Sequence, residues 1–444
     1  MAKISVLKYG GTSINSEEKL NIAQQTILSE LKQQFKPIIV VSAFRGVTDL
    51  LYTEILNPPM NEKFLGKWQE LHGTCSQYLS KDFQHDFEER IKAKFHFLRT
   101  SPDSIWAVDD LLAEGETYAV NIFANYMKSQ KIEAHIKNFV DPLYPVVGCG
   151  EFGNTRIDLE KTRENCERSI IEELKKADCV IAPGVGGVSS KDGRVRVRRG
   201  ASDYVATSLS YGVKADRLWI LSDVQGLQAA DSRIIKDPPI LSHLTVGELL
   251  DACALGVKNT NTVFFLPLTR HCPKETYFAK YDDLEGEKTR ITESPLKEDR
   301  TVKLVGGREV LLYTFEGYDI ERPVLVLEQK LAETYDFIRG GGFKKERFFA
   351  FFDLNLESRI SREISDYEDG ITVSTSRKAI VGIVGEGMKN TKKIVERMGK
   401  ALGDINIIYV LDISKISAGV VIEKDDMQEA VERLYADFIE EESR

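Results

Sequence analysis

A series of short apolar runs, each ending in glycines, hydroxyls or charges, limits what this chain can fold into more than any other feature. Ile4–Leu7 leads into Lys8-Tyr9-Gly10-Gly11-Thr12-Ser13, and the run Pro37–Ala43 leads into FRGVTD. Cys179–Val188, CVIAPGVGGV, runs into glycines, VRVRR carries Arg199 into Gly200-Ala201-Ser202-Asp203, and RLWILSDV ends in Ser222 and Asp223. Continuous β-branched runs of this kind are strands buried on both faces of a parallel sheet. Between the first two, Leu20, Ala23, Ile27, Leu28 and Leu31 recur with helical spacing, so strands and helices alternate. Open parallel sheets bind ligands beyond the C-terminal ends of their strands. Polar decoration at several such ends predicts a crevice that handles phosphate.

The first of these turns supports that reading locally. Gly10 and Gly11 let the backbone curl so that N–H groups and the following helix N-terminus can face an anion. Lys8 adds a mobile positive charge at the strand end, and Ser13, Asn15 and Ser16 are candidate helix caps. The Walker A pattern GxxxxGK[ST] is absent. A tight strand-to-helix turn with an incidental lysine is the alternative when this stretch is read alone.

Composition excludes several function classes. At 444 residues the chain has length for two to four domains. A net charge of -9 with no long basic block argues against general nucleic-acid binding. The six cysteines form no CxxC pair and read as reduced thiols of a cytosolic protein, and the six histidines show no HExxH spacing, so no built-in metal site is expected. No secretory signal and no apolar run long enough to cross a membrane is apparent.

In combination the motifs resemble those of the aspartate kinases, within the wider amino acid kinase family. KYGGTS is similar to the signature K[FY]GGTS, VVSAFRGVTD to VVSAMxGVT, Gly115-Glu116 to a GE[RL] helix start, and RRGASD to GRGGSD. SDVQGLQAADSR resembles TDVxGxYTxDPR, and Gly256-Val257-Lys258 resembles GAK. The matches fall in family order over much of the N-terminal part. The resemblance implies an α/β amino acid kinase fold, with a mainly parallel central sheet flanked by helices. It implies phosphorylation of the side-chain carboxylate of L-aspartate by ATP, with Mg2+ carried by the nucleotide.

The same resemblance implies residue roles. Lys8, Gly10, Gly11, Thr12, Ser13 and Gly184 would meet the phosphates, and Ser222, Asp223, Arg233 and Lys258 would surround the rest of the nucleotide. Ser42, Thr48 and Ser202 would line the acceptor pocket. Arg199 would clamp an acceptor carboxylate in two-pronged fashion, while Glu116 and Asp203 would hold the acceptor's amino group. Lys8, Arg199 and Asp203 form the implied catalytic set. Departures are specific: Thr117 stands where the family carries arginine, Ala201 replaces glycine, Gln228 replaces tyrosine, and NTNTV replaces LHP after Lys258. Three other readings therefore stay open: a kinase with a different or modified carboxylate acceptor, an inactive amino-acid-sensing paralogue, and a phosphate-binding module without transfer.

The expected organisation is a catalytic region over 1–285, with a helical insertion at 49–104 broken at Asn57-Pro58-Pro59. A polar linker from about 270 to 300 and a tandem regulatory pair over 300–444 follow. REVLLYTF and RFFAFFDL read as strands, and RPVLVLEQKLAETYDFI reads as a helix. From Lys378 onward the pattern is strand, helix, strand, strand, helix, and VGIVGEGM followed by a helix and INI resembles an ACT domain. ACT domains in this family bind amino acid effectors and pair through sheet edges, which implies feedback control and a homodimer.

Overall fold

The computed structural model describes residues 2–56, 62–257, 261–297, 300–317, 337–338, 347–352 and 371–441. The chain divides into two compact units, 1–226 with 264–291 and 227–263 with 292–444. This division does not follow the linear boundary expected near residue 285, because 227–263 cluster with the C-terminal part.

In the first unit the apolar runs are strands: β1 (Lys3–Tyr9), β2 (Phe35–Val41), β3 (Ala134–Ile136), and later Cys179–Pro183 and Arg217–Ser222. Two small antiparallel ribbons lie among these strands, one between β3 and Cys179–Pro183 and one between Cys179–Pro183 and Arg217–Ser222. One joins β4 (Gly148–Glu151) to β5 (Asn154–Ile157), and in the other β7 (Gly186–Val188) pairs with β8 (Val195–Val197). With Cys179–Pro183 as β6 and Arg217–Ser222 as β9, β1 pairs in parallel with both β2 and β9, and β6 in parallel with β2 and β3. Strand β1 is thus central, with the chain continuing to β2 on one side and arriving at β9 on the other. That is a topological switch point, and the crevice lies beyond its C-terminal end. Val6, Leu7, Ile38, Ile39, Val40, Val180 and Ile181 are fully buried, as continuous apolar runs in a two-sided sheet require.

Helix α1 (Glu17–Lys32) starts at Ser16, whose side chain caps the Lys19 N–H, so Ser16 is the cap among the three candidates. The insertion is helical as expected: α2 (Val47–Leu56), α3 (Glu62–His72) and α4 (Lys81–Thr100). The Asn57-Pro58-Pro59 break lies outside the described residues. Helix α5 (Ile105–Ser129) is 25 residues long, and α8 (Ser202–Val213) follows β8. Between them, α6 (Leu159–Arg168) and α7 (Ile170–Leu174) precede β6.

The expected linker from 270 to 300 instead contributes two strands to the sheet. Glu275–Lys280 pairs in parallel with β9, and Thr289–Thr292 pairs antiparallel with Glu275–Lys280. Thr276, Phe278 and Ile291 are buried while Tyr277 and Arg290 face outward. Two of the inward residues, Thr276 and Thr289, are threonines and the strands are short and flanked by charges, so the segment reads as polar.

In the second unit the strands Leu304–Gly317 and Ile371–Val384 pair along fourteen residues, and Arg347–Phe352, Ser417–Glu423 and Tyr409–Ser414 extend the sheet. REVLLYTF is strand as expected, and so is Arg347–Phe352 of RFFAFFDL, whose last two residues lie outside the described residues. The helix expected over RPVLVLEQKLAETYDFI lies outside the described residues except for Phe337–Ile338, which are strand. Helices Ile394–Leu402 and Met427–Tyr435 bury Leu402, Val431 and Leu434 in one core with Val381, Ile383 and Val420. The strand, helix, strand, strand, helix order is the one read from the sequence.

Candidate active site

The site is built on the ends of β1, β2 and β6 and the first turn of α8. Lys8, next to last in β1, extends its ammonium to Asp203, with Nζ 2.8 Å from Oδ1. Asp203 lies in the first turn of α8, where the helix dipole favours a carboxylate. Both side chains are mostly enclosed, 13% and 9% exposed.

The glycine pair has two separate jobs. A Cβ on Gly11 would meet the Ala43 carbonyl oxygen at 2.1 Å, so only glycine lets this turn lie against the backbone that follows β2. A Cβ on Gly10 would be in ordinary contact with its neighbours, 3.9 Å from both Lys8 Nζ and Thr12 Oγ1 and 4.0 Å from Ser13 Oγ. An ammonium and two hydroxyls therefore converge on one unfilled point. Ser13 is buried and its Oγ has no hydrogen-bond partner in the structure. An unsatisfied buried hydroxyl beside a cation is the donor that a phosphate oxygen would complete. Lys19, which the sequence reading did not single out, holds this turn by donating to the Thr12 carbonyl at 2.6 Å.

Gly115 and Glu116 sit in the middle of α5, not at a helix start. The long helix begins at Ile105 because the apolar pattern continues unbroken through the GE pair. Glu116 is buried, and burial pushes its carboxyl up to about 8. Backbone groups of Ala43, Gly184 and Val185 and the Lys8 charge hold that rise back. Its Oε2 has no hydrogen-bond partner. A buried carboxyl with one oxygen unsatisfied and its titration displaced is a functional-site signature. Gly184 lets α8 approach β6, since a Cβ there would come within 2.7 Å of Ser202 Cβ.

Arg199 stands apart from this group. It follows β8, is exposed, and pairs with Asp49 of α2 at 2.6 Å, with its guanidinium 5.7 Å from the centre of the Tyr52 ring. Ser42, on the segment joining β2 to α2, and Thr48, in the first turn of α2, are half-buried. Asp49 was missed by sequence reasoning although it directly follows Thr48 in the quoted motif. Asp109 was missed as well: its Oδ2 accepts from the N–H groups of Gly153 and Val197, at 2.9 Å each, and so fixes β8 against α5.

On the nucleotide side, Ser222 ends β9 with its hydroxyl donating to the Val224 carbonyl at 3.1 Å, and Asp223 is exposed. Arg233 belongs to the second unit, where it is exposed and pairs with Asp231. Lys258 lies outside the described residues. Among the described residues no group of three or more His, Cys, Asp or Glu side chains could hold a metal ion.

Residues 3–271 match the model of the amino acid kinase family. The chain belongs to the amino acid kinase family. Residues 381–438 match an ACT domain model. Aspartokinase 2 of Bacillus subtilis is 24% identical, over 98% of this chain and 97% of that protein. Lysine-sensitive aspartokinase 3 of Escherichia coli is 24% identical over 61% of this chain and 60% of its own length. The crystal structure of E. coli aspartokinase III with aspartate and ADP superposes with a TM-score of 0.83, at 19% identity over 98% of this chain and 99% of that one. No helix among the described residues is long and apolar enough to cross a membrane.

Proposed function

We propose that this amino acid kinase is an ATP-dependent aspartate kinase, which transfers the γ-phosphoryl group to the side-chain carboxylate of L-aspartate and releases 4-phospho-L-aspartate and ADP. The observation that carries the reading is the convergence of Lys8, Thr12 and Ser13 on Gly10, with Lys8 held by Asp203 and with buried Glu116 close enough to feel its charge.

Phosphoryl transfer asks a protein mainly for position and charge. Lys8 offsets charge on the transferring group, and the Gly10–Ser13 turn supplies hydroxyls around it. The acceptor carboxylate is already ionised at neutral pH, so its oxygen attacks phosphorus without a general base while the bond to ADP breaks. Glu116, ionised against the acceptor's ammonium, and Arg199, turned from Asp49 onto the acceptor's second carboxylate, orient the nucleophile. Ser42, Thr48 and Ser202 line that pocket. Magnesium bound to the nucleotide would supply neutralisation of its phosphates. Ser222 and Asp223, at the end of β9, are the nucleotide-side residues of this unit.

The same reading takes residues 1–285 as catalytic and 300–444 as a tandem ACT region binding an amino acid effector, in a cytoplasmic homodimer. The reaction is the entry step to aspartate-derived amino acids. Hydroxylamine tests the chemistry, because it converts an acyl phosphate to a coloured hydroxamate. ATP- and magnesium-dependent hydroxamate should form with L-aspartate and far less with L-glutamate, whose extra methylene displaces the reacting carboxylate by about 1 Å. Hydroxamate with another amino acid but not with aspartate would replace the acceptor. Failure to release ADP with every acceptor tried, from protein that still binds nucleotide, would remove the transferase reading.

A further inference from the structure

The first unit contains a cavity of about 920 Å3 that shares helix α5 with the site above. Its α5 wall is Trp106, Asp110, Glu114, Thr117 and Asn121, residues three or four apart that share one helix face. Gly115 points elsewhere, towards Ala43 and Val47, and Glu116 is not in the wall. The volume is at the upper end of small-molecule clefts, about 300–1,000 Å3. Thr117 presents a short side chain to this wall, its hydroxyl donating back to the Ala113 carbonyl at 3.0 Å.

The charges in the wall are unequally engaged. Arg90 of α4 grips Glu114 with two hydrogen bonds, 2.9 and 3.0 Å, and Lys94 reaches Glu114 at 2.7 Å and Asp110 at 2.8 Å. These four groups neutralise one another. Arg194, on the turn before β8, makes no ion pair among the described residues and lies 4.2 Å from the centre of the Trp106 ring. Opposite in character are Asn138, whose buried Oδ1 has no hydrogen-bond partner, and Asp141, whose Oδ2 accepts from the Asn138 N–H at 2.8 Å. Phe83 and Phe139 supply apolar surface to the same cavity.

A guanidinium with no ion pair among the described residues, an acceptor lacking a donor and aromatic surface in one cavity define a complementary ligand. We propose that the cavity binds a zwitterionic amino acid with a large apolar side chain. Its carboxylate meets Arg194, its ammonium meets Asn138 Oδ1 and Asp141, and its side chain packs on Trp106 and the phenylalanines. The ligand is wired to the neighbouring site through Tyr144, which lines the cavity and donates its hydroxyl to the Pro183 carbonyl at the end of β6, 3.2 Å away.

Calorimetric titration of the full chain with L-phenylalanine tests this without reference to catalysis. Saturable binding is expected with a Kd of about 1 mM or tighter. Phenethylamine, which lacks the carboxylate, and 3-phenylpropionate, which lacks the ammonium, should each bind about tenfold more weakly or worse, since each loses a charge-assisted hydrogen bond. Arg194→Gln should weaken L-phenylalanine about tenfold, and Thr117→Arg, which fills the cavity, should abolish binding. Arg194 is exposed, so its variant keeps the test decisive even if Thr117→Arg fails to fold. Absence of binding at about ten times the expected Kd, equal binding of the truncated analogues, or binding unchanged in Arg194→Gln would each overturn the assignment.

Discussion

The Lys8–Asp203 pair lies at the end of the central strand with side chains 13% and 9% exposed, whereas both members of the Arg199–Asp49 pair are 67% exposed. Both distances are short, 2.8 and 2.6 Å, so distance does not separate them. Surroundings do. The enclosed pair is held between a strand and a helix N-terminus in a low-dielectric setting where charge acts strongly. The rim pair joins two flexible side chains in water, where such contacts are worth about 0–1 kcal/mol. The floor of the site is thus set in place before substrate arrives, and the rim is free to exchange partners.

The sharpest way to break this contrast is to remove the floor's charge. Lys8→Ala should lower kcat by about 100-fold or more, the scale of losing one electrostatic donor to a transition state, with an unchanged circular dichroism spectrum. Near-normal turnover would show that the enclosed pair is only structural.

Glu116 ranks next. Its carboxyl is raised from 4.5 to about 8 in the fold. The native state therefore binds more protons than the unfolded chain between those values, and stability should fall as pH rises from about 4.5 to about 8, then level off. Acceptor binding runs the other way, because the acceptor's ammonium needs the ionised form, so its KM should drop over the upper part of the same range. Glu116→Gln should flatten both profiles and raise acceptor KM by about tenfold or more. Denaturant titrations and initial rates across pH measure the two slopes, and a flat wild-type stability profile would contradict a neutral buried carboxyl.

The rim should respond least. Arg199→Lys keeps the charge but loses the parallel donors. It should raise acceptor KM by less than about tenfold while leaving KM for ATP unchanged. Asp49→Asn frees Arg199 from its only described carboxylate and should lower acceptor KM by at most about fivefold, the scale of an exposed pair. Equal shifts in both Michaelis constants would place Arg199 outside the acceptor pocket.

What was legible in the chain beforehand follows from short-range rules. The buried runs of β1, β2, β6 and β9 and the helical spacing of α1 declare themselves within a few residues. The glycine pair marks its turn, and the lysine and carboxylates stand in motifs that could be recognised piece by piece. The pairing of Arg199 with Asp49 spans 150 positions in sequence, and no local pattern encodes which partner an exposed guanidinium finds. The titration of Glu116 is likewise invisible in the letters, because it depends on how completely Ala43, Gly184 and their neighbours exclude water. Strand Glu275–Lys280 was hidden for a related reason: the hydroxyl of its buried Thr276 donates to the Pro273 carbonyl at 2.9 Å, and its backbone pairs with the distant β9. Sequence alone determined which elements form and which chemistry-bearing residues end them. Tertiary structure decided which charges are enclosed and which stay in water, because burial is a property of everything packed around a residue.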